Sequence, residues 1–102
     1  MSKVDLTGKE KKYLRGLAHE LEPIVFVGKQ GITNNIIVAI NDAIDANELI
    51  KIKFQDFKDE KKELSKSLAE QSKTELCGLV GNIAIFYRQN KKKESRKIFF
   101  PA

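Results

Sequence analysis

Histidine and cysteine occur once each in this chain of 102 residues, as His19 and Cys77. One cysteine cannot form an intramolecular disulfide, and nothing points to an oxidising compartment. One histidine rules out a cluster of imidazole metal ligands. A Cys–His nucleophile pair requires the two to meet, and a strand cysteine with a surface-facing helix histidine give no sign of that. Cys77 reads instead as a buried or edge-strand filler. Neither a Gly-x-x-x-x-Gly-Lys-Ser/Thr loop nor a Gly-x-Gly-x-x-Gly turn is present. Asp56, Asp59 and Glu60 are acidic neighbours, but they open a helix, where carboxylates serve the dipole. The expectation is a protein without enzymatic activity, metal, cofactor or small-molecule substrate.

Long apolar runs are missing as well. None approaches the about 18 residues a membrane helix requires, and Met1–Asp5 places no apolar segment behind Lys3. A cytoplasmic protein with no membrane partner is expected. No internal repeat and no linker divide the chain. It reads as one domain, residues 1–102, with a core over about residues 6–90 and a basic tail from Lys91.

Positive charge is what the chain has in surplus. Nineteen Lys and Arg stand against 14 Asp and Glu, a net charge of +5 with a pI near 9.4, and hydrophobic residues make up 41%. The apolar share and its periodicity argue for a folded globule; the charge points to an anionic partner, nucleic acid first.

Along the chain, Thr7 and Glu10 have capping-box spacing. Leu14, Leu17, Ala18 and Leu21 fall on one side of the helix that follows, at about 100° per residue. Lys9, Lys12, Arg15 and His19 share the opposite side, within an arc of about 120° that Gly16 leaves flat. Pro23 ends the helical region and admits a strand, Ile24–Val27.

That strand runs straight into Gly28-Lys29-Gln30-Gly31, and a second helix begins near Thr33 or Asn34. A Gly-x-x-Gly turn lets a backbone approach a partner closely, since neither glycine has a Cβ. The helix behind it aims its first unpaired N–H groups at the same place, and Lys29 adds a mobile cation. In RNA-binding KH domains such a loop clamps the nucleotide backbone. The bare pattern also suits an ordinary strand-to-helix turn that needs positive φ.

The second helix turns Ile36, Ile37, Ile40, Ala43 and Ile44 inward and Asp42 and Asp45 outward, with Asn47 as its C-cap. Strand Glu48–Phe54 alternates, Ile50, Ile52 and Phe54 against Lys51 and Lys53. We read helices on one side of the sheet only, which leaves Lys51 and Lys53 on an uncovered face. Asp56–Lys73 is a charged, solvated helix anchored by Leu64, Leu68 and Phe57. Strands 75–80 and 83–88 join through a hairpin turn at Gly81-Asn82. After the charge run Lys91–Lys97, Ile98–Phe100 are expected to dock back as an added edge strand. This order implies a two-layer α/β sandwich, α-β-α-β-α-β-β, with a mixed four-stranded sheet, largely parallel apart from the final hairpin.

Leu14-Arg15-Gly16-Leu17-Ala18-His19, Pro23, Val27–Thr33, Glu48–Lys53, and Gly81 with Tyr87-Arg88 together resemble the CRM (chloroplast RNA splicing and ribosome maturation) domain. They stand in that family's order and span Leu6 to Pro101. The likeness is to the stand-alone bacterial YhbY type, from which the long Lys-rich segment before Ile98 departs. The resemblance implies a fold like the C-terminal domain of translation initiation factor three. It also implies RNA binding, and association with ribosomal RNA in precursors of the large subunit.

The expected RNA contacts are Gly28, Lys29, Gln30 and Gly31. Lys12, Arg15 and His19 extend them, and Lys51, Lys53 and Arg88 follow on the uncovered sheet face. The expected form is a monomer. A second class, a module docking on a ribosomal protein or other acidic partner, would use the same basic face. Tyr87 and the phenylalanines fall mostly at core-like or strand-alternation positions and make no aromatic triad. Recognition is therefore expected to rest on phosphates and RNA shape rather than on base identity.

Overall fold

Thr7 starts the first helix as its spacing to Glu10 requires. Its Oγ1 accepts the Glu10 N–H at 3.1 Å, and Glu10 Oε1 accepts the Thr7 N–H at 3.0 Å. The computed structural model describes residues 6–100, so the reading of Met1–Asp5 and the stretch from Pro101 lie outside the described residues. In chain order the elements are α1 (Gly8–Ala18), β1 (Val25–Val27), α2 (Asn34–Asn47), β2 (Leu49–Phe54), α3 (Lys61–Ser72), β3 (Glu75–Val80) and β4 (Ile83–Tyr87). Short 3-10 turns occupy Lys58–Glu60 and Lys93–Ser95.

Three local details differ from expectation. The α2 C-cap with positive φ is Glu48 (φ 66), not Asn47. Helix α3 starts at Lys61, because Phe57 sits at φ 55 and interrupts the chain after β2. Asp56 therefore opens no helix; its carboxylate accepts the Phe57 N–H at 2.8 Å, while its own N–H goes to the Val27 carbonyl at 3.2 Å.

The expected mixed sheet of four strands is present, in the order β1-β2-β4-β3. Only β1 and β2 pair in parallel; β4 is antiparallel to both β2 and β3. The three strands reached through helices thus point the same way, as crossover connections require. The hairpin folds β4 back between β2 and β3, so the sheet has fewer parallel pairs than expected.

Strand alternation separates two cores. On one face Val25, Val27, Ile50, Ile52, Phe54, Ala84 and Phe86 pack with Ile40 and Ile44 of α2 and Leu68 of α3. On the other, Leu49, Cys77, Ile85 and Tyr87 pack with Leu14 and Ala18 of α1. Helix α1 therefore lies opposite α2 and α3, a correction to the reading of helices on one side only. The strands leave an apolar half-face that would otherwise meet water, and α1 is the amphipathic element left to cover it.

The tail completes this second layer without forming a strand. Ile98 and Phe100 join the α1 core, and the Phe100 ring stands 5.8 Å from both Tyr13 and Tyr87. What holds the tail is Glu48, fully buried. Its carboxylate accepts the backbone N–H groups of Asn90 at 2.6 Å, Lys97 at 2.7 Å and Ile98 at 3.0 Å. A buried carboxylate is tolerated when its lone pairs are met by donors in this way.

Candidate nucleic-acid interface

The turn after β1 is held from beneath. The Val27 carbonyl accepts the N–H groups of Gln55 at 2.9 Å and Asp56 at 3.2 Å, which pins the strand end to the segment leaving β2. Gly31 N–H then donates to the Gly28 carbonyl at 3.0 Å, closing a turn with Lys29 and Gln30 exposed at its corners. Thr33 caps α2, its Oγ1 accepting the Ile36 N–H at 3.3 Å. The first turn of α2 carries no carboxylate to offset the helix dipole, and Thr33 is its side-chain cap.

The two glycines of the turn have different reasons to be glycine. Gly31 takes φ +70, and a Cβ there would come within 3.3 Å of the Phe57 ring. Gly28 has no positive φ, and nothing in the chain lies within 4 Å of where its Cβ would be. Residue 31 needs glycine for the fold; residue 28 does not.

From this turn the α1-side sheet face extends in two rows. Register places Phe26 beside Lys53, Lys53 beside Ile83, and Ile83 beside Val80, across all four strands. The adjacent row runs from Lys51 to Ile85 to Gly78. Helix α1 covers the far end of the face and reaches Ile85 and Gly78 of the second row, while Phe26, Lys53 and Val80 of the first row stay exposed. A shallow depression of about 110 Å³ remains, lined by Arg15, His19, Lys51, Val80, Ile83 and Ile85.

Of the expected contact residues, Arg15, His19 and Lys51 line this depression and Lys53 lies in the first row. Lys29 and Gln30 project at the turn, Lys53 is exposed, and Lys51 donates to the Leu21 carbonyl at 3.0 Å. His19 is exposed at the α1 C-cap, and Lys12 is exposed two turns earlier. Arg15 is half-buried and not a freely solvated cation. Its Nη1 donates to the Cys77 carbonyl at 2.9 Å, and its stem lies over Gly78, where a Cβ would sit 2.5 Å from Cδ. It reaches the sheet because α1 packs on this face.

Arg88 is not on the open face, and this corrects its expected position. It continues the Ala84–Phe86 alternation toward α2 and α3, where Nη1 donates to Asn41 Oδ1 at 2.9 Å and to the Ser72 carbonyl at 2.7 Å. Its Nη2 pairs with Asp45 at 2.8 Å. With those bonds in place it ties β4 to both helices.

Phe26 is the residue that sequence reasoning missed. It is 46% exposed on the open face, level with Lys53. The signal was there: Val25 and Val27 point inward, so the residue between them points out. Cys77 behaves as expected, being buried, and desolvation pushes its thiol up to about 12, so it stays protonated. Among the described residues no group of His, Cys, Asp and Glu is placed to hold a metal, and no helix is long and apolar enough to cross a membrane.

The family model of the CRS1/YhbY (CRM) domain matches residues 6–88. The chain is 38% identical over 97 residues to the probable RNA-binding protein YqeI of Bacillus subtilis, covering 94% of this chain and 99% of that one. A Haemophilus influenzae protein named RNA-binding protein is 34% identical over 97 residues, covering 94% and 95%. The solution structure of SAV1595 from Staphylococcus aureus matches with a TM-score of 0.78 at 41% identity, covering 92% of this chain and 99% of that one.

Proposed function

The chain belongs to the CRS1/YhbY (CRM) domain family, and on that premise we propose that it is a non-catalytic RNA-binding protein. The names of its relatives support the reading. The observation that carries it is Gly28, a glycine with no conformational or steric need within the fold. It stands next to an exposed lysine, in the turn that leads into a helix whose first turn holds no carboxylate. With no Cβ there a partner can approach the backbone closely, and a phosphate backbone is one that such donors fit.

The proposed contacts are Gly28 to Gly31 at the turn, Lys51 and Lys53 on the sheet, and Lys12, Arg15 and His19 along α1. The family resemblance further suggests ribosomal RNA in a precursor of the large subunit, and we propose that the protein acts there as a cytoplasmic monomer. Lys29→Glu tests the assignment. The side chain is exposed, so melting should be unchanged while RNA affinity falls at least about tenfold, as a cation becomes an anion against phosphate. Full affinity in the folded variant removes Lys29 from the site.

The exposed apolar members of the open rows, Phe26 and Val80, favour one alternative, a protein partner on the same face. Salt separates the two. Neutralising about four to six phosphates gives a log–log slope of roughly −3 to −5, which a protein interface of mixed polarity does not.

A further inference from the structure

We propose that the open rows of the sheet bind an unpaired RNA nucleotide, its base stacked on the Phe26 ring while Lys53 and Lys29 take the flanking phosphates. This rests on the RNA-binding reading and adds to it a preference for single-stranded over duplex RNA.

The ring is placed for this use. Phe26 sits in a strand of three residues whose other members, Val25 and Val27, are buried, so the same register that seals the core forces its side chain outward. A phenylalanine exposed to 46% forgoes much of the stabilisation that burial would supply. Nothing on α1 reaches over to cover it, since that helix ends at Ala18 and packs toward β3, β4 and the start of β2.

The surroundings of the ring select the partner. Lys53 is its neighbour across the β1/β2 pairing, and Lys51 follows on the same face. No carboxylate belongs to either row. Glu75 lies at the opposite end of β3, beside Tyr87, and Glu22 lines a separate hollow with Leu21, Ile24 and Leu49. A ring beside Lys53, in a row that holds no carboxylate, complements a base between phosphates better than it complements an apolar peptide. A base in a duplex has both faces covered by its neighbours, so only an unpaired one can offer a face to the ring.

The distance to the turn fits as well. Gly28 follows Phe26 by two residues, about 7 Å at the rise of an extended chain. A nucleotide whose base rests on the ring therefore has its phosphate within reach of Lys29 and the Gly28 backbone. The open position at residue 28 and the open ring at residue 26 belong to one path across the edge of the sheet.

The test uses a reporter that the native chain leaves room for, since it contains no tryptophan. Phe26→Trp introduces the sole indole at the stacking position. Titration with an unpaired octanucleotide should quench its fluorescence in a saturable way, and a blunt-ended RNA duplex should not. Phe26→Ala and Phe26→Leu should weaken octanucleotide binding about 5- to 150-fold, the range for loss of one base–aromatic stack, with duplex binding and melting unchanged. Leucine that keeps full affinity overturns the stacking role, because apolar bulk would then suffice. Full affinity in both variants, alongside loss in Lys29→Glu, overturns this proposal and leaves the RNA reading intact. A native protein that binds neither RNA overturns both. Loss of binding to a ribosomal protein in Phe26→Ala, with RNA binding unchanged, assigns the face to a protein instead.

Discussion

The two faces of the sheet are built from alternate residues of the same strands, yet they serve different ends. Ile50, Ile52 and Phe54 are buried under α2 and α3, and every strand contributes to that core. Leu49, Lys51 and Lys53 share the other face, where α1 and the tail cover only the end nearest Leu49. A period of two lets one strand carry stability on one side and a cationic, partly apolar surface on the other, with no residue obliged to do both. The chain can change the open rows without disturbing the sealed core, and the following substitutions measure how far that independence goes.

The largest contrast lies between adjacent residues. Ile52→Ala removes a side chain with no exposed surface, so it should cost about 2–5 kcal/mol in urea unfolding, the range for such cavities. Lys53→Ala, one residue on, should stay within about 0.5 kcal/mol. Its RNA affinity should fall instead, with the salt slope shallower by about one. Equal stability losses at the two positions would break the division between the faces.

Glu48 tests whether the covered part of the second face depends on a single carboxylate. Glu48→Gln halves its acceptor capacity and removes the charge from three hydrogen bonds to the tail. The expected cost is about 2–3 kcal/mol. Faster proteolysis between Lys91 and Lys93 should accompany it, because Ile98 and Phe100 lose the anchor beside them. A tail that stays protected would mean that the aromatic contacts with Tyr13 and Tyr87 suffice.

The smallest effect compares the two glycines of the turn. Gly31→Ala should destabilise by about 1–2 kcal/mol from its positive φ alone, with contact against Phe57 added. Gly28→Ala should leave melting within about 0.5 kcal/mol of the native value and weaken RNA binding. The reverse pattern would make the turn a purely structural device.

Much of this was legible from the chain. The Thr7–Glu10 cap, the inward Ile36, Ile40 and Ile44 of α2, the Lys51/Lys53 alternation and the Gly81-Asn82 hairpin are all local patterns. Each depends on residues a few positions apart, so each is written in the period of its own element. Phe26 apart, what escaped depended on distant partners. Arg15 looked like a member of a solvated stripe until α1 was seen to lie on the sheet, over Gly78. Arg88 carried a charge that looked available, but Asn41, Asp45 and Ser72 occupy it. Glu48 gave no sign at all, since its role exists only once Asn90, Lys97 and Ile98 return some fifty positions later.

The sequence by itself determined the order of the three helices and four strands, the inward faces of α2 and β2, and the cationic turn at Lys29. These follow from periodicity, capping and turn chemistry, which act over one or two turns of chain. Only the tertiary structure decided that α1 crosses to the face opposite α2 and α3, and that β4 enters between β2 and β3. It alone decided which cations remain free once the elements have packed. Those outcomes rest on which apolar face finds which partner, and on hydrogen bonds between residues far apart in sequence. No local pattern encodes them, because their free energy appears only when both partners are in place.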